Sequence, residues 1–120
     1  MKKLFISQPM RGKTDEEILA VRKYAHQTAE WVLGEPVEVI DSYLHETPEV
    51  SNSALWCLGR SLELMADADV VYFVYGWEKY RGCRIEHECA LEYSKDIIIL
   101  RKSENYNNLY GVDYIPAGET

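Results

Sequence analysis

The segment Asp69-Val70-Val71-Tyr72-Phe73-Val74-Tyr75 is the most apolar stretch of the chain, and it decides the fold. After Asp69 every residue is aliphatic or aromatic, so the segment has no polar face. A continuous run of this kind is typical of a strand buried on both faces, as at the centre of a parallel sheet. We therefore expect helices to cover both faces of that sheet.

Segments on both sides of this strand alternate between strand and helix patterns. Thr14 and Glu17 form a capping-box pattern at the start of the first helix, and Gly34 followed by Pro36 ends it. This alternation predicts a parallel sheet with right-handed crossovers. The predicted strands are 3–7, 37–40, 69–75 and 97–100, and the predicted helices follow Thr14, follow Ser51 or Asn52, and span 84–94.

The order of these elements predicts an α/β protein with a flavodoxin-like three-layer sandwich as its architecture. Four parallel strands in the order 2-1-3-4 form the sheet, and residues 113–115 suggest a fifth strand at its edge. In such a sheet the winding reverses between strands 1 and 3, and ligands bind above the carboxyl ends of those strands. The loops 8–13 and 76–82 meet there. We expect one domain over residues 1–120.

Composition limits the partners that we expect. The net charge of −7 repels a phosphate backbone and argues against duplex DNA or RNA. A single nucleoside or nucleotide is compatible with this charge, because one arginine can hold one phosphate. No apolar run approaches the roughly 20 residues that span a bilayer, and the sequence begins without a signal-peptide pattern. We therefore expect no membrane partner and a cytoplasmic location.

The cysteines do not predict a metal site. Cys57, Cys83 and Cys89 are expected to be reduced thiols. Cys83, His87 and Cys89 are close in sequence, but their spacing matches no common zinc site, and a closed site needs a fourth ligand. We therefore expect neither a metal nor a cofactor, and we expect these cysteines to pack within helices.

Glu86 has the most unusual predicted position among the charged residues of the third helix. At about 100° per residue, a helical projection turns Glu86 toward the sheet, whereas Glu88 and Glu92 face solvent. A carboxylate directed toward a core is costly unless it is hydrogen-bonded or functional. The alternative is a glutamate that only stabilises the positive end of the helix dipole. The same projection turns four other residues toward the sheet: Ile85, Cys89, Ala90 and Tyr93.

The two loops at the carboxyl edge supply candidate binding groups. Arg11 and Gly12 precede the first helix, where backbone N–H groups favour an anion and arginine offers a bidentate fork for phosphate. Trp77 or Tyr80 could stack on a planar base. The alternatives are a solvated Arg11 and loop aromatics that cover the sheet edge or contact a second subunit. His45, in the loop after the second strand, could fold over the crevice.

Two motifs carry a resemblance to a known family. Ala68-Asp69-Val70-Val71 and Gly82-Cys83-Arg84-Ile85-Glu86, followed by Ala90 and Lys95, resemble the nucleoside 2-deoxyribosyltransferase superfamily. That superfamily includes the 2′-deoxynucleoside 5′-monophosphate N-glycosidases. The segment Ile6-Ser7-Gln8-Pro9-Met10-Arg11-Gly12 also looks like a small subfamily of phage and bacterial proteins placed in it. Lys95 has the spacing of the family's Gly-Lys pair, with Ser94 in place of the glycine.

The resemblance implies a chemistry and a role for Glu86. The family uses the matching glutamate as a nucleophile on the anomeric carbon of the sugar, and a covalent glycosyl-enzyme is then resolved by water or by a second base. Arg11 matches an arginine that contacts the 5′-phosphate. The resemblance and the two loops together give these candidate substrate-binding residues: Ser7, Gln8, Met10, Arg11, Gly12, Trp77, Tyr80 and Gly82.

Two departures from the family pattern leave alternatives open. Phe5 stands where the family usually has a tyrosine, and Ser61 stands where it usually has an aspartate. Asp69 is then the candidate to replace the missing acid, so the candidate catalytic residues are Glu86, Asp69 and Ser61. The alternative function is a non-catalytic module that senses or sequesters a nucleotide.

An oligomer is expected whichever function holds, because family members assemble. The aromatic tail, with Tyr106, Tyr110 and Tyr114, suits a subunit interface between copies of the chain. A third reading is therefore an oligomeric scaffold that has no small ligand.

Overall fold

The central apolar segment forms a buried strand in the computed structural model, which describes residues 1–44, 48–103 and 110–118. No helix within these ranges is long and apolar enough to cross a bilayer. A short 3-10 turn, Trp77–Lys79, follows the central strand. The elements in chain order are β1 (Lys2–Ser7), α1 (Asp15–Leu33), β2 (Val37–Val39), α2 (Ser53–Met65), β3 (Val70–Phe73), α3 (Arg81–Glu92), β4 (Asp96–Lys102) and β5 (Tyr110–Ile115).

The protein has a mixed α/β fold built on a sheet with the strand order β2-β1-β3-β4-β5. The first four strands are parallel and follow the predicted order 2-1-3-4. The expectation of a wholly parallel sheet is not confirmed, because β5 pairs with β4 in the antiparallel direction. Only residues 103–109 connect β4 to β5. A connection of that length can reverse the chain but cannot make the crossover that a parallel pair requires.

Side chains of the strands alternate between two cores, one on each face of the sheet. On one face Leu4 and Ile6 pack with Ala25 of α1. On the other face Phe5 packs with residues of the other two helices, including Met65 of α2 and Ala90 of α3. The helices therefore cover opposite faces of the sheet, α1 on one and α2 with α3 on the other.

Helix α1 begins and ends where the sequence predicts. The Thr14 side chain accepts a hydrogen bond from the backbone of Glu17, and the Glu17 carboxylate accepts one from the Thr14 backbone. Gly34 ends the helix in the left-handed conformation, with φ of 69°. Val21 is exposed, because Arg22 occupies the buried side of the helix. The buried residues of α1 are Ile18, Arg22, Ala25, Thr28 and Ala29.

Helix α2 contacts the sheet over only part of its length. Met65 is buried, and Leu62 packs against the same core. Leu55, near the start of the helix, is exposed. Only the C-terminal half of α2 therefore reaches the sheet.

Helix α3 starts three residues earlier than the predicted Arg84, because Tyr80 takes an extended conformation and caps the helix at Arg81. The earlier start brings Cys83 into the helix, and Cys83, Glu86 and Ala90 form its buried stripe. The expectation that Ile85 and Tyr93 face the sheet is wrong. Both are exposed, Tyr93 to 77%, because the buried stripe is centred on Glu86.

The capping box gives a first prediction. Replacing Thr14 by alanine should lower the free energy of unfolding by about 1 kcal/mol, because the side-chain acceptor for the Glu17 backbone N–H is lost. Urea unfolding followed by circular dichroism measures the change. Thr14→Ser retains the acceptor oxygen and should stay close to the wild type. Equal stability of the alanine and serine variants would contradict the assigned role of the cap.

Candidate functional site

A buried hydrogen bond joins the end of β1 to α3. Ser7, the last residue of β1, lies on the α3 side of the sheet, since side chains alternate along the strand and Phe5 packs on that side. The Ser7 hydroxyl donates to Oε1 of Glu86 at 2.7 Å. Both residues are buried, and Glu86 is only 7% exposed. The expectation that Glu86 turns toward the core is therefore confirmed, and Glu88 and Glu92 are exposed as predicted.

Burial sets the charge state of this carboxyl. It raises the pKa of Glu86 to about 7, and the hydrogen bond from Ser7 acts in the opposite direction. The carboxyl therefore exists in both protonation states near neutral pH. A glutamate with such a pKa can act as a nucleophile when ionised and as a hydrogen-bond donor when protonated.

Cys83 is the second ionisable group of this cluster, and the sequence analysis did not place it there. It lies one helical turn before Glu86 on the same stripe and is buried. Burial raises the pKa of the Cys83 thiol to about 11; the Ser7 hydroxyl lowers it and Glu86 raises it. The thiol is therefore neutral at physiological pH. The signal that could have revealed it is the i, i+3 spacing from Glu86.

The first turn of α3 is open to solvent above the pair. Tyr80 caps the helix without a side-chain hydrogen bond to its N–H groups. Gly82 lies within this first turn, and a Cβ built on it would meet no atom within 4 Å. Glycine is unfavourable inside a helix by about 1 kcal/mol relative to alanine. Its position here leaves the helix backbone accessible to a molecule that approaches Glu86.

The loop after β1 presents Arg11 at the tip of a tight turn. The Lys13 N–H bonds to the Met10 carbonyl at 3.1 Å, and Gly12 has φ of 78°. A positive φ at the third residue of a turn is the signature of type II and favours glycine. Arg11 is exposed at the second position of this turn. The turn therefore carries a cation in front of the N-terminus of α1.

Gln8 faces away from Glu86, on the α1 side of the sheet. Its amide oxygen accepts a hydrogen bond from Arg22 at 3.1 Å, and its amide nitrogen donates to the Ile18 carbonyl at 3.4 Å. Arg22 also donates to the Ser42 hydroxyl and to the Ile40 carbonyl. Sequence reasoning missed Arg22, although a basic residue on the apolar stripe of α1 was a visible signal. Through these hydrogen bonds, Arg22 holds the residues that follow β1 and β2 in place.

The two predicted stacking residues have different environments. Trp77 stacks on His87, with ring centroids 4.3 Å apart, and also contacts Phe73. The ring of Trp77 therefore already packs against two side chains, and stacking of a base on Trp77 stays a prediction. Tyr80 is exposed and lines a cleft of about 430 Å³ together with Gln8. Glu86 does not line this cleft.

Asp69 and Ser61 are not brought to Glu86. Asp69 precedes β3, at the amino edge of the sheet, and its carboxylate accepts a hydrogen bond from the Lys3 backbone N–H at 2.8 Å. Ser61 lies in the second half of α2, the half that runs toward the same edge. Glu86 lies at the carboxyl edge, beyond the length of β3. The structure therefore gives Asp69 a role in joining β1 to β3, and neither residue contacts the candidate site.

The remaining predictions concern a metal site, a covering loop and the aromatic tail. No group of three metal-ligating side chains occurs in the described ranges. Cys57, Cys83 and Cys89 are free thiols. His45 and Tyr106 lie outside the described residues, whereas Tyr110 and Tyr114 are exposed on β5.

The raised pKa of Glu86 predicts a pH-dependent stability. The pKa of Glu86 rises from the ordinary 4.5 to about 7 in the folded chain. The folded chain therefore has its full free energy of unfolding below pH 4.5 and loses part of it as the pH rises through 7, where the carboxyl loses its proton. Glu86→Gln mimics the protonated form at every pH. It should match the wild type at pH 4 and exceed its stability at pH 8 by about 3 kcal/mol.

Thermal and urea unfolding at both pH values test this prediction. Glu88→Gln is the matched control, because Glu88 is exposed on the same helix, and it should show no such dependence on pH. A Glu86→Gln variant that is less stable than the wild type at pH 8 would show that the carboxylate is stabilised in the fold.

Comparison with known proteins gives a family for this arrangement. A search of the curated proteins finds no match to the chain. A family model described as a domain of unknown function (DUF4406) matches residues 2–99, a range that contains both Ser7 and Glu86 and ends within β4. This range covers more than half of the 120 residues, and the chain therefore belongs to the DUF4406 family.

Proposed function

We propose that the chain is an N-glycosidase or deoxyribosyltransferase that acts on a deoxynucleoside or its 5′-monophosphate. The observation that carries this proposal is the buried Ser7–Glu86 pair at the carboxyl edge of the sheet, with the pKa of Glu86 near 7. A carboxyl that is neither paired with a cation nor fully solvated is typical of functional sites. The flavodoxin-like three-layer architecture, with its ligand site at this edge, belongs to the same proposal.

In the proposed first step, the ionised Glu86 attacks the anomeric carbon of the sugar. A bond forms between a carboxylate oxygen and that carbon, while the bond to the base breaks and the base leaves with the electron pair. The leaving base takes a proton from solvent. Water or a second base then attacks the same carbon, which restores the carboxylate. Ser7 orients one carboxylate oxygen and leaves the other free for the attack.

Two features that follow the carboxyl ends of β1 and β3 suit a nucleotide substrate. Arg11 is exposed at the tip of its turn and can form charge-assisted hydrogen bonds to a 5′-phosphate. The open space beside Gly82 lets a sugar approach the first turn of α3. Both features belong to the loops that meet at the switch point of the sheet.

A second candidate function is a non-catalytic nucleotide-binding module. The observation that favours it is the environment of Glu86, where the next ionisable group on the buried stripe of α3 is the neutral thiol of Cys83. Phe5 is buried in the core, and Asp69 is bonded to the Lys3 backbone. The protonated carboxyl would then serve as a hydrogen-bond donor to the ligand.

Turnover by the full chain separates the two functions. Each deoxynucleoside and each deoxynucleoside 5′-monophosphate is incubated with the protein, with and without a second free base, and released or exchanged base is measured by chromatography. Glu86→Gln should lower turnover by at least about a thousandfold, because the nucleophile is lost. Glu88→Gln should retain wild-type turnover. Binding of a nucleotide without any product would favour the module over the enzyme.

A variant of Arg11 tests whether the protein prefers a substrate that carries a 5′-phosphate. Arg11→Ala should raise KM for monophosphates by about tenfold and leave KM for nucleosides unchanged, because one charge-assisted hydrogen bond is worth about 1.5–3 kcal/mol. Arg60→Ala is the control, since Arg60 is exposed on α2 and pairs with Glu63. Equal effects of Arg11→Ala on both substrate classes would remove the phosphate from the proposal.

Ser7 gives a prediction about pH dependence. The nucleophile must be ionised, so kcat/KM should rise with pH up to about 7 and then level off. The Ser7 hydrogen bond lowers the pKa of Glu86, so Ser7→Ala should move the midpoint of this profile to higher pH. Ser51→Ala, at an exposed serine, should leave the midpoint in place. A midpoint that moves to lower pH in Ser7→Ala would contradict the assigned direction of the bond.

A further inference from the structure

The cleft that Gln8 and Tyr80 line lies on the opposite side of the sheet from Glu86. Its volume is about 430 Å³, within the range of small-molecule sites. Helix α1 forms one wall, and the ends of β3 and β4 with the start of β5 form the other. Residues on the α1 side of the sheet, including Tyr72, Val74 and Leu100, line its inner part. Ser7 and Glu86 lie beyond the sheet, so this cleft is separate from the candidate site above.

Tyrosine rings dominate the walls of the cleft. Tyr24 projects from α1, and Tyr80 is the residue before α3. Both line the cleft and are partly exposed. Tyr75 and Tyr110 meet edge to face, with ring centroids 5.4 Å apart. Aromatic walls of this kind bind planar rings by offset or edge contacts. The shape and lining therefore favour a flat, aromatic ligand.

Tyr72 supplies the second observation. It is 1% exposed, and its hydroxyl makes no hydrogen bond of ordinary length and angle in the described part of the chain. The buried Thr28 side chain of α1 is close enough to lower the pKa of Tyr72, as a donor to the phenol oxygen would, which leaves the O–H of Tyr72 without an acceptor. Buried hydroxyl groups are almost always hydrogen-bonded, since an unmet donor costs free energy. Tyr24, another residue of the cleft, is close enough to influence the ionisation of Tyr72. An acceptor on a ligand in the cleft can satisfy this hydroxyl, because Tyr72 lines the cleft.

The charges of the described residues at the mouth of the cleft balance. Within the ranges that the structure describes, Lys13 and Glu17 are the charged residues that line it. The Gln8 amide, also at the mouth, is already held by Arg22 and by the Ile18 carbonyl. Such a mouth gives no advantage to a phosphate or a carboxylate. A neutral ligand fits this distribution better than a nucleotide does.

We propose that this tyrosine cleft binds a neutral, planar heteroaromatic molecule whose hydrogen-bond acceptor pairs with the Tyr72 hydroxyl. The site is independent of the activity proposed for Glu86. The Tyr72 O–H has no acceptor in the described part of the chain, and an unmet donor lowers the stability of the fold. Removal of that hydroxyl should therefore weaken ligand binding without lowering the stability of the fold.

The test uses two probes of similar shape, adenine and naphthalene, of which only adenine carries hydrogen-bond acceptors. Binding to the full chain is measured by ligand-observed NMR or calorimetry. Tyr72→Phe should weaken adenine binding by about threefold to tenfold, the value of one hydrogen bond, and leave naphthalene binding unchanged. Its melting temperature should equal or exceed that of the wild type. Tyr93→Phe, at an exposed tyrosine of α3, is the control and should change neither quantity.

A second variant tests the location. Ala20 lines the cleft and is exposed, so Ala20→Trp should fill the space and reduce the binding of both probes by at least about tenfold, while the melting temperature shows that the variant folds. Unchanged binding in Ala20→Trp, or no binding of either probe to the wild type, would overturn the proposal. Equal losses of adenine and naphthalene in Tyr72→Phe would overturn the role of the hydroxyl. Glu86→Gln should bind both probes normally, so the outcome does not depend on catalysis.

Discussion

The structure depends on β3, a strand whose two faces are both buried. Every residue from Val70 to Phe73 is buried, so the chain must supply a cover for each face of the sheet, and α1 covers one while α2 and α3 cover the other. Helices that connect parallel strands return the chain to the same edge each time. The carboxyl ends of β1 and β3 therefore meet, and Ser7 comes to lie where α3 begins.

Glu86 lowers the stability of the fold, although the packing of α3 on the sheet does not require a carboxyl at this position. It lies on the buried stripe between Cys83 and Ala90, where an apolar side chain of similar size would pack without desolvating a charge. The Ser7 hydroxyl offsets only part of that cost, because one neutral donor leaves most of the acceptor capacity of a carboxylate unused. The pKa near 7 is the result. A group that lowers stability at neutral pH and lies at the carboxyl edge of the sheet is more easily explained by a role in binding or catalysis than by packing.

Local patterns predicted the features that depend on local physics. The capping box at Thr14, the parallel order of the first four strands and the inward direction of Glu86 all follow from spacing along the chain. The direction of β5, the stacking of Trp77 on His87 and the hydrogen bond from Lys3 to Asp69 depend on partners far away in sequence. The helical projection of α3 failed for Ile85 and Tyr93 because small residues and a carboxyl, not the largest apolar side chains, face the sheet there.

The end of β1 joins the two faces of the sheet. Consecutive side chains of a strand point to opposite faces, so Ser7 contacts Glu86 on the α3 side while Gln8 lines the tyrosine cleft on the α1 side. Tyr72 and Phe73 divide in the same way on β3. Arg22 holds Gln8 from α1, and Glu86 holds Ser7 from α3, so the strand end is fixed from both sides. The two sites are therefore separated by the sheet but linked by a single peptide bond, the shortest connection that a strand can provide between its faces.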